Sequence, residues 1–450
     1  MYARHAKRHI DIYNQNIMHN WWRISKKKSI GSLPSKNMSA RYHKIGCRNF
    51  TQKEKKEMID TNKFKTKTVF IQRTNGPAKS VWPIALDLGY SAVKIFSPNI
   101  AAMFPAYARK EPEDSRDRII GNLNHEVIFY KNADTGELWT VGSDAQDRID
   151  VKDTSDSDTA LYGRDRYMTP LFRVLAETGL GIAMFRSKYG VPDGKDLFVQ
   201  TGLPPKYLKM DTDILKDALA GRHRFSLWLG SGEEVKFDFT VDRENIDVIA
   251  QPMGSLFSVV MDKDGKPVPN AVDFFHKNVI VFDPGFGTLD IFQIRQQRIA
   301  GTETFDNLGM KQVLKETAET INKEYKQDIS IPAMQKFLGK GTFRLVKREN
   351  GRMQTQDIPF APILDKANKK VCEEALRTLE QVVPLEEFDY LIITGGTSAA
   401  WNAMIRDYLS GMSTLKIVEG TQNDTLPFAF ANVRGYYMYR QSKLRSAGKI

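Results

Sequence analysis

Cysteine is almost missing from this sequence. Its 450 residues contain two, Cys47 and Cys372, too few for a disulfide framework or a zinc cluster. That scarcity fits a reducing compartment. Long apolar runs are missing too: no stretch approaches the roughly 20 residues of a membrane span. The N-terminus carries charges without the continuous apolar region of a secretory signal. A cytoplasmic protein with no membrane partner is expected. Acidic residues are scarce in one place. Positions 1–80 hold 19 Lys/Arg against 4 Asp/Glu, a net +15, so the other 370 residues carry −3 of the formal total of +12. The basicity belongs to a tail, and a body near neutrality does not read as a nucleic-acid-binding domain.

Residues 1–80 are rich in Lys, Arg, Asn, Ser and His and have no sustained period. They are expected to form a disordered basic extension, densest in charge at Lys26-Lys27-Lys28 and Lys53-Glu54-Lys55-Lys56. A solvated tail, a tail that touches DNA or an acidic partner by counterion release, and a transit peptide all remain open for it.

What is present, from Val81 onward, is a repeat. Ala85-Leu86-Asp87-Leu88-Gly89-Tyr90-Ser91-Ala92-Val93-Lys94-Ile95-Phe96 returns, 196 residues further on, as Val281-Phe282-Asp283-Pro284-Gly285-Phe286-Gly287-Thr288-Leu289-Asp290-Ile291-Phe292. Each copy reads as an apolar strand, an Asp, a Gly-rich turn and a second strand. Further hairpins are expected around Asp134-Thr135-Gly136 and Gly230-Ser231-Gly232. Strands are expected at 197–203, 246–251 and 389–393. Helical spacing predicts helices at 168–189, 253–261, 310–326, 365–382, 398–408 and 432–442. Strands alternating with helices make the class α/β. The repeat favours two related α/β domains with a cleft between them. The first is expected over 81–262, with 411–450 packing back on it, and the second over 263–410.

The turns suggest chemistry. Small residues let consecutive backbone N–H groups approach one anion, which makes Gly89, Tyr90 and Ser91 in the first turn, and Gly285, Phe286, Gly287 and Thr288 in the second, candidate phosphate contacts. Lys94 is expected to add a point charge on phosphate. Asp87 and Asp283, at strand ends facing across a cleft, cannot bind phosphate but can hold Mg²⁺ through its retained waters. Gly395-Gly396-Thr397, after a buried strand and before a helix, lets a flat ring or ribose lie against backbone.

In order and spacing these turns and Gly395-Gly396 resemble the actin/Hsp70/sugar-kinase ATPase superfamily, and most nearly the bacterial actin-like proteins of the plasmid-segregating ParM type. Thr201-Gly202-Leu203-Pro204 with Lys206-Tyr207, and Asn307-Leu308-Gly309 before a helix, look like further landmarks of that type. The likeness covers roughly 84–440 and leaves the tail outside. It implies an actin-like fold with ATP or ADP between the domains and Mg²⁺ near Asp87 and Asp283. Gln251, just before Pro252 and a helix, would orient the attacking water, and Asp290 would contact metal-bound water. It also implies slow ATP hydrolysis, self-assembly into filaments, and plasmid DNA engaged through an adaptor. Tyr90, Pro284 and Phe286 depart from the Ser, Thr or Gly of many relatives and shift the cradle onto backbone. A sugar or acetate kinase and a non-hydrolysing scaffold of the same fold are the alternatives. An Hsp70-type chaperone is set aside because only 54 residues follow Gly396.

Overall fold

The computed structural model describes residues 59–73, 80–124, 126–149, 164–185, 195–296 and 298–450. Most of the expected basic extension, residues 1–58, lies outside them.

The first lobe runs through β1 (Val69–Gln72), β2 (Val81–Leu88), β3 (Ala92–Phe96), β4 (Ile100–Pro105), β5 (Ala108–Glu111), β6 (Ile128–Asn132) and β7 (Leu138–Val141). It continues through α1 (Ser143–Asp147), α2 (Pro170–Met184), β8 (Asp196–Leu203), α3 (Pro205–Leu219), β9 (Gly221–Leu229), β10 (Val235–Val241), β11 (Ile246–Ala250) and α4 (Gln251–Val260). Strand β2 is buried at every position, as a strand covered on both faces must be. It lies inside a six-stranded sheet of order β1-β4-β3-β2-β8-β11. Strands β1 to β4 pair antiparallel, and β2, β8 and β11 pair parallel. A second sheet, β10-β9-β6-β7-β5, completes this lobe. Helix α2 covers one face of the main sheet, packing Phe172, Leu175 and Leu180 on Leu86, Val93 and Ile95.

The second lobe holds α5 (Asp273–His276), β12 (Val279–Pro284), β13 (Thr288–Arg295), β14 (Arg298–Asp306), α6 (Met310–Tyr325), α7 (Ile331–Leu338), β15 (Thr342–Glu349) and β16 (Arg352–Pro359). Then come α8 (Ala361–Val382), β17 (Tyr390–Ile393), α9 (Ser398–Tyr408), β18 (Lys416–Glu419) and α10 (Ala431–Ser446). Its sheet has the order β14-β13-β12-β17-β18. Phe282, Leu289 and Ile291 face α6 and α8 through Val313, Leu314, Val371 and Leu379. The other face, Val279, Val281 and Phe292, is covered by Leu256, Val259 and Val260 of α4.

The remaining face of the first-lobe sheet is covered by α10, with Val433, Tyr436 and Tyr437 on Ala85, Phe96 and Ala101. Each lobe is therefore closed by a helix that the chain order groups with the other lobe. The two helices meet along a seam. A Cβ on Gly435 would lie 1.6 Å from the Gly254 carbonyl oxygen, so α4 and α10 touch backbone to backbone.

Several expectations shift in detail. The extension was expected to reach residue 80, yet Val69–Gln72 is the edge strand of the main sheet, paired with β4. Helix α2 begins at Pro170 because Thr169 caps it, its hydroxyl accepting from Phe172 N–H at 3.2 Å. It ends at Met184 because Phe185 is extended, and 186–189 fall outside the described residues. Gln251 opens α4 rather than closing a strand. Helix α8 starts a turn early, with proline in its first turn. The α10 helix spans 431–446. Helices α3 and α7, and the separate β15–β16 hairpin, were not anticipated.

Candidate functional site

The two repeats fold alike. In the first, Leu86 pairs with Ile95, Asp87 with Lys94 and Leu88 with Val93. In the second, Phe282 pairs with Ile291, Asp283 with Asp290 and Pro284 with Leu289. Each turn is closed by its leading glycine: Gly89 N–H donates to the Ala92 carbonyl at 3.0 Å, and Gly285 N–H to the Thr288 carbonyl at 2.8 Å. Those two donors serve the hairpins, not an anion. The second turn is also clamped from behind, since Met310 and Lys311 N–H, at the start of α6, donate to the Gly285 and Phe286 carbonyls at 3.2 and 2.8 Å.

The acids sit in unlike surroundings. Asp87 is buried, with Oδ2 2.7 Å from Lys94 Nζ. Lys94 thus directs its charge at Asp87, because the register sets the two side chains opposite one another. Asp283 is buried and accepts from Asn432 Nδ2 at 2.7 Å. Burial pushes it up to about 6, against the opposing pull of Asn432 and Lys94. Asp290 lies deeper. Thr304 donates to its Oδ1 at 2.6 Å and Thr288 to its Oδ2 at 3.2 Å. Burial first, and the neighbouring Asp283 charge second, push it up to about 7.

Asp87, Gly89, Tyr90, Ser91, Lys94, Gln251, Asp283, Gly285, Phe286, Gly287, Thr288, Gly395, Gly396 and Thr397 all line one cleft of about 260 Å³ between the lobes. Asp290 does not line it. Gly395 has φ +84°, and a Cβ there would fall 2.4 Å from Asp283 Oδ1, so only glycine brings this loop against the acid. The Thr397 hydroxyl donates to the Gly285 carbonyl at 2.6 Å, tying the loop to the second turn. The turns themselves meet. A Cβ on Gly287 would come 2.9 Å from Tyr90 Cδ2, and the Arg166 guanidinium lies 4.5 Å from the centroid of that ring. Across the cleft rim, Lys206 Nζ and the Tyr207 hydroxyl reach Asp306 at 2.7 and 3.2 Å.

Sequence reasoning missed several lining residues. Asn432 opens a helix without a motif around it. Arg166 follows a stretch with no periodic signal. Lys63, Phe64, Lys65 and Thr66 also line the cleft, although composition had assigned them to the tail.

Among the described residues, no group of three or more His, Cys, Asp or Glu could hold a metal directly. Asp87 Oδ1 is nevertheless buried without a hydrogen-bond partner, and burial makes the charged form of Asp283 costly, a cost that a nearby cation would offset. Both features suit a cation that approaches within its water shell, as Mg²⁺ does. Asp87 and Asp283 fit that role. Asp290, with a hydroxyl on each oxygen, is already satisfied. No helix among the described residues is long and apolar enough to cross a membrane.

Residues 85–254 match the family described as the N-terminal domain of actin-like proteins. No curated protein matches the sequence. Among solved structures, the chain is similar to the pCBH ParM non-polymerisable quadruple mutant, with 18% identity and a TM-score of 0.60 over 80% of this chain and 99% of that one. It is also similar to ParM in a 15-stranded filament from Clostridium botulinum, with 16% identity and a TM-score of 0.57 over 81% and 100%. For Bacillus thuringiensis ParM with AMPPNP the values are 18% and 0.51, over 81% and 99%. With two matching hairpins, two helix-backed sheets and one cleft between them, the chain has the actin-like fold, and its residues 85–254 match the N-terminal domain of actin-like proteins.

Proposed function

We propose that the cleft binds ATP with Mg²⁺ and hydrolyses it slowly, and that nucleotide state governs self-assembly into filaments. The observation that carries this reading is the convergence of Asp87, Asp283 and Gln251, from two sheets and one helix N-terminus, on a single cleft. Gly89, Tyr90, Ser91, Gly285, Phe286, Gly287 and Thr288 face the phosphates, and Gly395, Gly396 and Thr397 face the nucleoside. Asp87 and Asp283 hold Mg²⁺ through water; when bound, the ion supplies charge neutralisation on phosphate oxygens. Gln251 cannot accept a proton, so it orients the attacking water, and the rate depends on positioning. Asp290, out of the cleft, acts on the site through Asp283.

Two relatives support the reading by what they are: a ParM filament and a ParM carrying AMPPNP. The same reading keeps the domain boundaries at 262 and 410, a cytoplasmic setting, and a DNA-binding adaptor that links filaments to a plasmid centromere-like site. The test is sedimentation at micromolar protein with Mg-ATP, with phosphate release followed in parallel. Polymer in the pellet and slow phosphate release are expected. Protein that stays in the supernatant with both ATP and AMPPNP contradicts the filament reading.

A further inference from the structure

We propose that residues 61–68 form an additional wall of the nucleotide site and a strap that must lift from the second lobe before nucleotide leaves. This rests on the nucleotide reading above. The strap lies upstream of the matched family segment, which begins at residue 85.

The segment is anchored at both ends, on different lobes. On the second lobe, Thr61 is buried and its hydroxyl donates to the Leu338 carbonyl at 2.7 Å. Phe64 packs against the core of that lobe. On the first lobe, Lys65 Nζ lies 2.6 Å from Asp147 Oδ1 of α1. Thr68 N–H donates to Ser143 Oγ at 3.2 Å, and the chain then enters β1 and pairs with β4. Between the anchors, Lys63, Phe64, Lys65 and Thr66 line the cleft. The seven steps from residue 61 to residue 68 span at most about 24 Å when extended, so a strap fixed at both ends limits how far the lobes can part.

The anchors are unequal. The first-lobe end continues into a four-residue strand ladder, whose backbone hydrogen bonds act together. The second-lobe end depends on one hydroxyl, Thr61, and on the side chains of Ile59 and Phe64, with no strand pairing. Opening therefore releases the second-lobe end first, and the strap travels with the first lobe.

A staple tests this. A Cβ on Gly341 would lie 4.0 Å from Thr61 Cβ, within the range of about 3.5–4.5 Å for a disulfide, although Gly341 has φ +69° and a cysteine there is strained. The full chain with Thr61→Cys, Gly341→Cys and Cys47→Ser is loaded with a fluorescent ATP analogue and Mg²⁺, then chased with excess ATP. Oxidation should slow release at least tenfold and reductant should restore it. In separate proteins, Phe64→Ser and Thr61→Val should speed release several-fold. Unchanged release in the oxidised form, with the bond verified by mass spectrometry, overturns the strap and leaves the nucleotide reading intact. Where the bond does not form, unchanged release in Phe64→Ser and Thr61→Val overturns it equally. An unsubstituted protein that binds no analogue defeats the nucleotide reading and the strap together.

Discussion

Lys94 lies directly across the strand pair from Asp87, its Nζ 2.7 Å from Oδ2, at the position where the second hairpin sets Asp290 across from Asp283. Two backbones of one design thus carry opposite electrostatics. The first acid is neutralised by its neighbour, and the second faces another acid.

Lys94→Met should leave Asp87 buried and unpaired. The expected loss is about 3 kcal/mol, the usual cost of removing one partner from a buried pair, discounted for a Lys94 side chain that keeps some exposure. Urea unfolding measures it. Adding Asp87→Asn should recover most of the loss; a double variant as weak as the single one would mean the pair is not what Lys94 contributes.

Asp290 supplies a pH signature. Its folded value of about 7 stands above the unfolded carboxylate value of about 3.9. The folded state therefore holds the proton more tightly. Its contribution is complete below the unfolded value and is lost as pH rises through 7. For the nucleotide-free protein, Asp290→Asn should match wild type near pH 4. It should exceed wild type by up to about 4 kcal/mol near pH 8. Parallel melting curves across that range would remove the basis for a buried, proton-holding Asp290.

Gln251→Ala should slow phosphate release on the order of 100-fold, as a misplaced water does, while sedimentation with Mg-ATP stays near wild type. Lost assembly with unimpaired hydrolysis would assign Gln251 to subunit contacts instead.

Truncation separates extension from body. Removing residues 1–58 should leave thermal melting and nucleotide turnover unchanged. Removing 1–73 strips β1 from its ladder with β4 and should lower the melting temperature by several degrees, about what 1–2 kcal/mol produces in a domain-sized unit. Equal melting of the two truncated proteins would show that β1 is dispensable.

Gly435→Ala tests the seam. With only 1.6 Å between the new Cβ and the Gly254 carbonyl oxygen, the helices must separate. A loss of about 3 kcal/mol is expected, the upper end of ordinary overpacking. A near-neutral effect would mean that α4 and α10 are not held in contact.

The paired hairpins were legible because their signal is local: apolar runs, an acid and a Gly-rich turn within twelve residues. The residues of both turns, Gln251 and Gly395-Gly396-Thr397 accordingly reach one cleft. Side-chain direction was not legible. The spacing that suits a phosphate contact for Lys94 also makes it a neighbour of Asp87, and only the cross-strand register shows that pairing. Asp290 looked like a second metal acid because nothing in sequence says that Thr304, fourteen positions away, will donate to it. Asn432 and the strap escaped for a related reason. Each reaches the cleft through tertiary packing, and a basic composition around residues 61–68 concealed one buried threonine and one packed phenylalanine.

The glycine contact between α4 and α10 also bears on how the molecule can move. With backbone against backbone at Gly254 and Gly435, there is no slack at that point, so any change in the angle between the lobes would have to pivot there rather than slide. Asn432, which holds Asp283, stands one helical turn before Gly435 on the same helix. The cleft acid is therefore tied directly to the crossing, and a ligand that altered Asp283 would act on that crossing without having to push on distant surfaces.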